Sequence, residues 1–277
     1  MNIITLVENT AGRIRVMAEW GLSILVEMDG LRVLLDSGES GSVVRNASEL
    51  GIDLSSIDKI VLSHGHCDHT GGLRELLMAM RKQVEIIAHP DIWDAKYVKR
   101  PGEAEYRYIG IPFRREELES LGASFILTGE PVWISDRIVT TGEIPMLTDY
   151  EKLDANLHVK REGTFEPDPL RDDLALAVKG DQGLVLITGC AHRGIVNTLH
   201  HARKLTELEA IDTVIGGTHL SRATKKHVEL TIAELKKFGV RRLGACHCTG
   251  FHATVRLAQE FSRAFFPNNA GTRLEIG

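Results

Sequence analysis

The 277-residue sequence has few cysteines, no long apolar run and no excess of basic residues. Four cysteines in a chain of this length do not suggest the disulfide scaffold of a small secreted protein; they are Cys67, Cys190, Cys246 and Cys248. No segment approaches the roughly 18 consecutive apolar residues that a membrane-spanning helix needs. The formal net charge of −5 gives no support to a large DNA-binding face, which requires positive charge. We therefore expect no membrane partner and no nucleic-acid partner.

The balance of residues is that of a folded globular protein. Hydrophobic residues make up 43% of the chain and charged residues 26%, which excludes a disordered sequence. Residues 1–6 enter a strand-like segment at once, without the basic region and apolar run of a signal peptide. The cysteines lie beside histidines or in glycine-rich turns, which in a reducing compartment indicates chemistry or metal binding. We expect a cytoplasmic protein, and the sequence leaves its oligomeric state open.

Short apolar runs separated by turn residues predict a layered α/β fold. Asp29-Gly30 lies between two such runs and is a strong hairpin signal, because both central turn positions need positive φ. Gly51 is the expected end of a helix that begins near Ser42. The predicted strands are 5–7, 22–28, 31–35, 57–62, 84–88, 132–140, 174–178, 184–188, 213–215 and 242–245. The predicted helices are 42–50, 72–81, 195–205 and 225–238.

Two polar segments interrupt this regular order. Residues 91–130 are rich in Arg, Lys and Glu, and we interpret them as a helical or loop insertion over the mouth of the active site. Residues 149–169 are interpreted as another polar loop. The two halves of the remaining chain resemble each other, which a ββα duplication would explain. We predict a single domain, residues 1–277, with the insertion at about 91–130.

The strongest signal is a cluster of three histidines and one aspartate within six residues, at the end of an apolar strand. It reads Ser63-His64-Gly65-His66-Cys67-Asp68-His69. His64 and His66 can grip one metal ion, and Asp68 and His69 can hold a second. Two ions roughly 3.5–4 Å apart can bridge a hydroxide and bind a phosphoryl oxygen. The alternative is a solvated histidine-rich loop, which the apolar strand before the cluster and the glycines after it disfavour.

This cluster, preceded by the strand end Leu35-Asp36-Ser37-Gly38, resembles the motif of the metallo-β-lactamase superfamily. More narrowly, the chain is similar to the subgroup of 7,8-dihydropterin-6-methyl-4-(β-D-ribofuranosyl)aminobenzene-5′-phosphate synthase-like (DHPS-like) proteins. The resemblance covers essentially the whole chain. The segments that carry the narrower resemblance are 19–23, 63–72, 188–197, 217–220 and 246–250.

The resemblance implies a four-layer αββα sandwich with metals at the edge where both sheets end. It also implies three further ligands: a histidine, a bridging aspartate in a Thr-Gly-Asp turn, and a final histidine. This chain departs from that set twice. Cys190 stands in place of the aspartate, and the strand end that should carry the intermediate histidine reads Thr140-Thr141-Gly142-Glu143. Cys190 can ligate as a thiolate, His192 can replace the missing imidazole, and Glu143 either supplies an oxygen or only faces the site.

His219 and His247 each follow a predicted strand and receive different roles. We assign His247 to the second metal as the final ligand and His219 to the substrate, as proton donor or phosphate contact, although these roles can be exchanged. Asp36 is expected to accept a hydrogen bond from a ligand imidazole. The predicted catalytic residues are Asp68 and His219. The predicted metal ligands are His64, His66, Asp68, His69, Cys190, His192 and His247.

Two functions remain open at this point. The first is a hydrolase that acts on a small anionic, phosphoester-type substrate through a metal-bridged hydroxide. The alternative is a transferase that joins a dihydropterin methyl pyrophosphate to a ribofuranosylaminobenzene phosphate. Both require two divalent metal ions, for which we expect zinc, with iron or manganese as alternatives. A redox protein is disfavoured because it would need a carboxylate at His66 and an attached flavin domain.

Overall fold

A computed structural model describes all of residues 1–277. None of its helices is both long enough and apolar enough to cross a membrane. The helices are α1 (Ser42–Glu49), α2 (Cys67–Thr70), α3 (Leu73–Met80), α4 (Arg115–Ser120), α5 (Ile195–Thr206), α6 (Lys225–Lys237) and α7 (Phe251–Phe261). The strands are β1 (Asn2–Val7), β2 (Ser23–Met28), β3 (Leu31–Leu35), β4 (Lys59–Val61), β5 (Val84–Ala88), β6 (Ala95–Val98), β7 (Arg107–Tyr108), β8 (Ala123–Leu127), β9 (Val132–Trp133), β10 (Ile138–Thr140), β11 (Leu157–Arg161), β12 (Thr164–Pro167), β13 (Ala175–Gly180), β14 (Gly183–Thr188), β15 (Ile211–Gly217), β16 (Arg242–Cys246) and β17 (Arg273–Glu275).

Two large sheets form the centre of the molecule. The first has the order β17-β1-β2-β3-β4-β5-β8, and the second has the order β16-β15-β14-β13-β10-β9. Strands β3, β4, β5 and β8 run parallel, as do β14, β15 and β16. Parallel neighbours need crossover connections, which the helices supply. A third, small sheet has the order β12-β11-β6-β7.

Alternation of side chains along the strands produces four layers. Leu25 of β2 packs in the core shared with α1 and α3, whereas its neighbour Val26 packs between the two sheets. In β14, Leu186 packs towards α5 and α6, while Val185 and Ile187 face the other sheet. The core between the sheets contains 18 buried residues, and each sheet has a further core under its own helices. The expected αββα sandwich is therefore confirmed.

Most local predictions agree with the structure. Asp29 and Gly30 have φ of 52° and 81° in the turn between β2 and β3, as the hairpin requires. Gly51, with φ of 69°, follows the C-cap of α1. The boundaries of the predicted single domain and of its insertion stay a prediction. Within residues 91–130 the chain forms β6 and β7 of the small sheet, then α4 and β8, and β8 extends the first large sheet.

The expectation of a polar loop over residues 149–169 is wrong for its second half. Strands β11 and β12 form an antiparallel hairpin there, and β11 also pairs with β6. Leu157 and Val159 are buried on one face of β11, and the turn residues Glu162 and Gly163 both have positive φ. The alternation of apolar and polar residues along β11, followed by a Glu-Gly turn, is a sequence signal that predicts such a hairpin. The many charged side chains around it obscured that signal.

Candidate metal centre

The carboxyl ends of several parallel strands meet at one edge of the sandwich. The histidine cluster follows β4 of the first sheet. Cys190 and His192 follow β14, His219 follows β15, and His247 follows β16 of the second sheet. Such an edge is where open α/β sheets gather functional groups, because side chains from different strands converge there. The fold thus brings together side chains that lie as far apart in the sequence as His64 and His247.

His64, His66 and His192 form the first of two triads in this centre. Their ligand atoms lie within 4.8 Å of one another, and all three side chains are buried. The Nε2 atoms of His64 and His192 are 3.2 Å apart. Nε2 of His66 is buried without any hydrogen-bond partner. Convergent ring nitrogens, one of them unsatisfied, are what a cation between them would require.

Asp68, His69 and His247 form the second triad. The Nε2 atoms of His69 and His247 are 3.2 Å apart. The carboxylate of Asp68 lies 3.4 Å from Nε2 of His247 and 3.8 Å from that of His69. This mixture of one carboxylate oxygen and two imidazole nitrogens suits Zn²⁺, Fe²⁺ or Mn²⁺.

Cys190 lies between the two triads. Its sulfur is 3.2 Å from Nε2 of His69 and also lies within 4.8 Å of the ligand nitrogen of His64. Cys190 therefore occupies the place between the two candidate ion positions, while His192 completes the first triad. The sequence left open which of these two residues turns inward, and in the structure both do. All seven predicted ligands are brought together, and their binding of metal stays a prediction.

Hydrogen bonds on the outer side of two imidazoles, those of His64 and His69, fix which ring nitrogen carries the proton. The hydroxyl of Ser63 donates to Asp36 over 2.7 Å, so it must accept from Nδ1 of His64 at 2.9 Å. Nδ1 of His69 donates to the same carboxylate of Asp36 over 2.7 Å. This confirms the role predicted for Asp36. In each ring the outer nitrogen, Nδ1, is engaged, and Nε2 is the nitrogen that faces the centre and is available to a metal ion.

The protonation of the cluster also fits a cationic ligand. Burial, reinforced by neighbouring imidazoles, holds the pKa of His64 and of His192 well below the ordinary range. Burial lowers the pKa of His66 to about 3. Although burial opposes it, the adjacent His69 and His247 hold the pKa of Asp68 below its ordinary value. Neutral imidazoles and an ionised carboxylate are the forms that bind divalent ions.

His69 differs electrostatically from the other imidazoles. Burial alone would lower its pKa, but the carboxylates of Asp68 and Asp36 outweigh this effect and raise the pKa to about 9. In the metal-free protein His69 therefore holds a proton at neutral pH. A metal ion at this position replaces that proton, so binding should release it.

Glu8 and Asn9 hold His247, and sequence reasoning missed both. The backbone N–H of His247 donates to Glu8 over 2.9 Å. Its Nδ1 lies 2.9 Å from the side-chain oxygen of Asn9, which can only accept, so Nδ1 donates. Glu8 is only 3% exposed. No local signal could have found this pair, because 239 residues separate Glu8 from His247.

A buried ionic cluster holds the loop between His64 and His66. The ammonium of Lys96, from β6, donates to Asp168 and Asp172 over 3.0 and 2.9 Å. Asp172 also accepts the N–H of Gly65 over 2.8 Å. A Cβ on Gly65 would approach Ile92 O to 2.4 Å, so no other residue fits there. Lys96 is completely buried and was also missed from sequence.

Asp173, the next residue, holds the loop that carries His192. Its carboxylate accepts the N–H of Arg193 over 2.8 Å, and its other oxygen is buried without a partner. Burial raises the pKa of Asp173 to about 7. The consecutive residues Asp172 and Asp173 thus support the first and the second ligand loop, respectively.

A cavity of about 800 Å³ opens over the centre. His219 lies in its wall, with its ring centroid 4.1 Å from that of His192 and its Nδ1 buried without a partner. Burial opposes protonation of His219, but contacts with Cys248 raise its pKa above the ordinary value. A raised pKa favours the protonated form, from which a histidine beside the cluster can donate a proton to a leaving group.

Three arginines also line this cavity, namely Arg100, Arg107 and Arg222. Nε of Arg100 is buried without a hydrogen-bond partner. Guanidinium groups bind phosphate and carboxylate oxygens in two-point geometry. The carboxylates of Glu39 and Asp154 line the same cavity, so positive charge does not surround it completely.

The remaining histidines lie outside the two triads. His89 contacts Glu143 over 3.1 Å and accepts the N–H of Asp91, which agrees with a packing role. Glu143 is not among the groups that could share a metal. His158 lies in β11 and bonds to Asn156 O. The others lie on helices: His200 and His201 in α5, His227 in α6 and His252 in α7.

Comparisons of sequence agree with this geometry. A family model described as the metallo-beta-lactamase superfamily matches residues 21–210. One relative is the 7,8-dihydropterin-6-methyl-4-(β-D-ribofuranosyl)-aminobenzene-5′-phosphate synthase of Methanocaldococcus jannaschii. It is 33% identical to this chain over 98% of this chain and 95% of its own length.

Solved structures show the same architecture. Tm1679, a metal-dependent hydrolase of the β-lactamase superfamily, has a TM-score of 0.84 and 29% identity over 100% of this chain and 99% of its own. The short form of human tRNase Z has a TM-score of 0.56 and 12% identity, with complete coverage of both chains. At that identity the second likeness shows the fold alone.

Proposed function

Since the chain belongs to the metallo-β-lactamase superfamily, we propose that it is a metal-dependent hydrolase of a small anionic, phosphoester-type substrate. Two divalent ions, with zinc as the first choice and iron or manganese as alternatives, would serve as its cofactors. The observation that carries this proposal is the pair of donor triads with inward Nε2 atoms at the base of an arginine-lined cavity.

Each triad would hold one ion. His64, His66 and His192 supply three nitrogens for the first, and Asp68, His69 and His247 supply the donors for the second. Cys190 would contact both. When bound, such a pair of ions activates water near neutral pH and neutralises charge on a phosphoryl group.

The protein's own residues would bind and orient the substrate. Arg100, Arg107 and Arg222 offer guanidinium groups to phosphate oxygens within the cavity. His219, whose pKa is raised above the ordinary value, would donate a proton to the leaving oxygen. Asp68 would both ligate and orient the attacking water, because its carboxylate is the one oxygen donor of the centre that also lines the cavity beside His66.

A second candidate function is favoured by one comparison. The M. jannaschii relative, aligned over nearly its full length, is named as a synthase. In this alternative the protein would join a dihydropterin methyl pyrophosphate to a ribofuranosylaminobenzene phosphate. The same ions and arginines would then stabilise the departing pyrophosphate.

One assay series separates the two functions. The purified, metal-loaded protein is given phosphomonoesters, phosphodiesters and cyclic phosphodiesters, and separately the two transferase substrates, with release of phosphate or pyrophosphate measured. Hydrolysis of an ester without an acceptor supports the hydrolase. Pyrophosphate release only when both transferase substrates are present supports the synthase.

Substitution of Asp68 tests whether this centre carries either activity. Asp68→Asn keeps the shape but removes the charge, so kcat/KM should fall by at least about 10²-fold while the protein remains folded. Asp181→Asn, on the exposed turn between β13 and β14, is the matched control and should retain wild-type kcat/KM. Activity of Asp68→Asn within a few-fold of wild type would contradict the assignment.

A further inference from the structure

Cys248 is a buried thiol beside the candidate metal centre that belongs to neither triad. It lies directly after His247, in the single turn His247–Thr249 that follows β16. Its side chain is only 4% exposed, yet it contributes to the wall of the cavity over the centre. Cys246, two residues earlier, points elsewhere, because its sulfur accepts from the amide of Asn268 over 3.3 Å.

The backbone around Cys248 offers its sulfur one N–H donor and the space beside a glycine. The N–H of His219 donates to Sγ of Cys248 over 3.3 Å, and His219 adopts a positive φ of 50°. A Cβ on Gly217 would approach the same sulfur to 2.6 Å, so only glycine leaves the necessary room. An N–H donor aimed at a sulfur favours its thiolate form.

Two donors of the candidate metal centre face this sulfur. The ligand atoms of Cys190, His247 and Cys248 all lie within 4.8 Å of one another. Sγ of Cys248 also lies 3.5 Å from Cys190 O, to which the thiol can donate its proton while no metal is bound. The sulfur of Cys248 therefore lies close enough to Cys190 and His247 for all three residues to bind one ion.

We propose that Cys248 is a further metal-binding residue and forms with Cys190 a thiolate pair that shares one ion with His247. This inference rests on the proposed function, since it assumes a metal at this centre. When each sulfur binds, the thiol releases its proton to solvent and donates an electron pair, and nothing is oxidised or reduced. Sulfur donors favour zinc, cobalt and cadmium over manganese and magnesium. The second position would therefore discriminate between metals more strongly than its Asp-His-His triad alone.

Cobalt(II) provides a direct test, because its spectrum distinguishes sulfur from nitrogen and oxygen donors. The full-length protein is stripped with a chelator and titrated anaerobically with cobalt(II) in the presence of a reductant. A thiolate-to-cobalt charge-transfer band should appear in the near ultraviolet, besides the visible bands of any bound cobalt. In Cys248→Ser the near-ultraviolet intensity should fall to about half, and in the double variant Cys190→Ser, Cys248→Ser it should disappear.

Two variants serve as matched controls. Cys246→Ser alters a buried thiol of the same segment, and Cys67→Ser alters a thiol of the first histidine cluster that is not grouped with any donor set. Both should keep the full near-ultraviolet band. Loss of the band in either control would overturn the assignment of the sulfurs.

The outcomes separate this inference from the proposed function. Cobalt binding to wild type with an unchanged near-ultraviolet band in Cys248→Ser overturns the role of Cys248 and leaves the metal centre intact. Absence of cobalt binding to wild type overturns the proposed function itself. Should Cys248→Ser fail to fold, Cys190→Ser decides: about half of the near-ultraviolet band should remain from the Cys248 thiolate, and its complete loss with cobalt still bound overturns the role of Cys248.

Discussion

The two halves of the molecule contribute to the centre in opposite ways. The first sheet supplies four candidate donors, His64 to His69, from one stretch after β4. The second sheet supplies its candidate donors from two separate strand ends, Cys190 and His192 after β14 and His247 after β16, and His219 follows the strand between them. The first half therefore presents a compact motif. The second half presents a set of residues that only sheet packing can assemble.

Each half is also held by a carboxylate of the other. Asp172, before β13 of the second sheet, accepts the N–H of Gly65 in the first ligand loop. Glu8, after β1 of the first sheet, accepts the N–H of His247 in the second half. The centre thus depends on correct docking of the two sheets. Metal binding should in turn stabilise that docking, because an ion bound only to the folded state adds to its stability.

The largest effect should come from substitutions that distinguish the roles of two histidines of the second half, His219 and His247. His219→Ala should retain its metals and its Tm yet lose roughly 10²–10⁴-fold in kcat, because the leaving group loses its proton donor. His247→Ala should lose metal and thermal stability together. Metal analysis and thermal unfolding of both variants check this. Metal loss in His219→Ala with retention in His247→Ala would reverse the two roles.

The ionic cluster under the first ligand loop should give the next largest effect. Lys96→Met leaves two carboxylates, Asp168 and Asp172, buried without their cation, which should lower the free energy of unfolding by about 3–5 kcal/mol. Lys59→Met removes a partly exposed lysine that pairs with Glu85 and should cost about 1 kcal/mol or less. Urea unfolding measures both. An equal loss in the free energy of unfolding in the two variants would mean that the buried cluster stabilises the fold no more than a surface ion pair does.

A smaller effect is expected where the first half supports the second. Glu8→Gln retains an oxygen for the N–H of His247 but removes the charge, so the affinity for one of two ions should fall about 10–100-fold. Competition with a chelator measures the affinity of each ion separately. Glu27→Gln, at the opposite end of the sheet, is the control. If both ions keep wild-type affinity in Glu8→Gln, the centre does not need this contact.

A separate effect concerns the pH dependence of the stability of the metal-free protein. Burial raises the pKa of Asp173 from 3.8 to about 7, so between these values the folded state retains a proton that the unfolded state has lost. The free energy of unfolding should therefore fall as pH rises through this window, by at most about 1.4 kcal/mol per pH unit, and level off above it. Asp173→Asn should flatten that slope in urea unfolding at several pH values. An unchanged slope would show that Asp173 is ionised throughout.

The sequence alone determined the features that depend on neighbouring residues. The apolar runs of β2 and β3, the Asp29-Gly30 turn and the spacing of His64, His66, Asp68 and His69 are local, so a single stretch of chain specifies each of them. That local information also predicted a layered α/β fold, whereas the four-layer αββα arrangement was implied by the resemblance to the family. The pairing of β11 with β12 was equally local, and only its charged surroundings concealed it.

Tertiary structure decided everything that joins distant segments. It places Cys190 between the triads and turns His192 towards His64, and it brings Glu8, Asn9, Lys96 and Asp172 to the ligand loops. No spacing rule connects such residues, because their proximity follows from the packing of two sheets through a shared apolar core. Buried polar groups in that packing must find partners wherever the chain provides them. The identity of each partner is therefore settled only when the whole fold is formed.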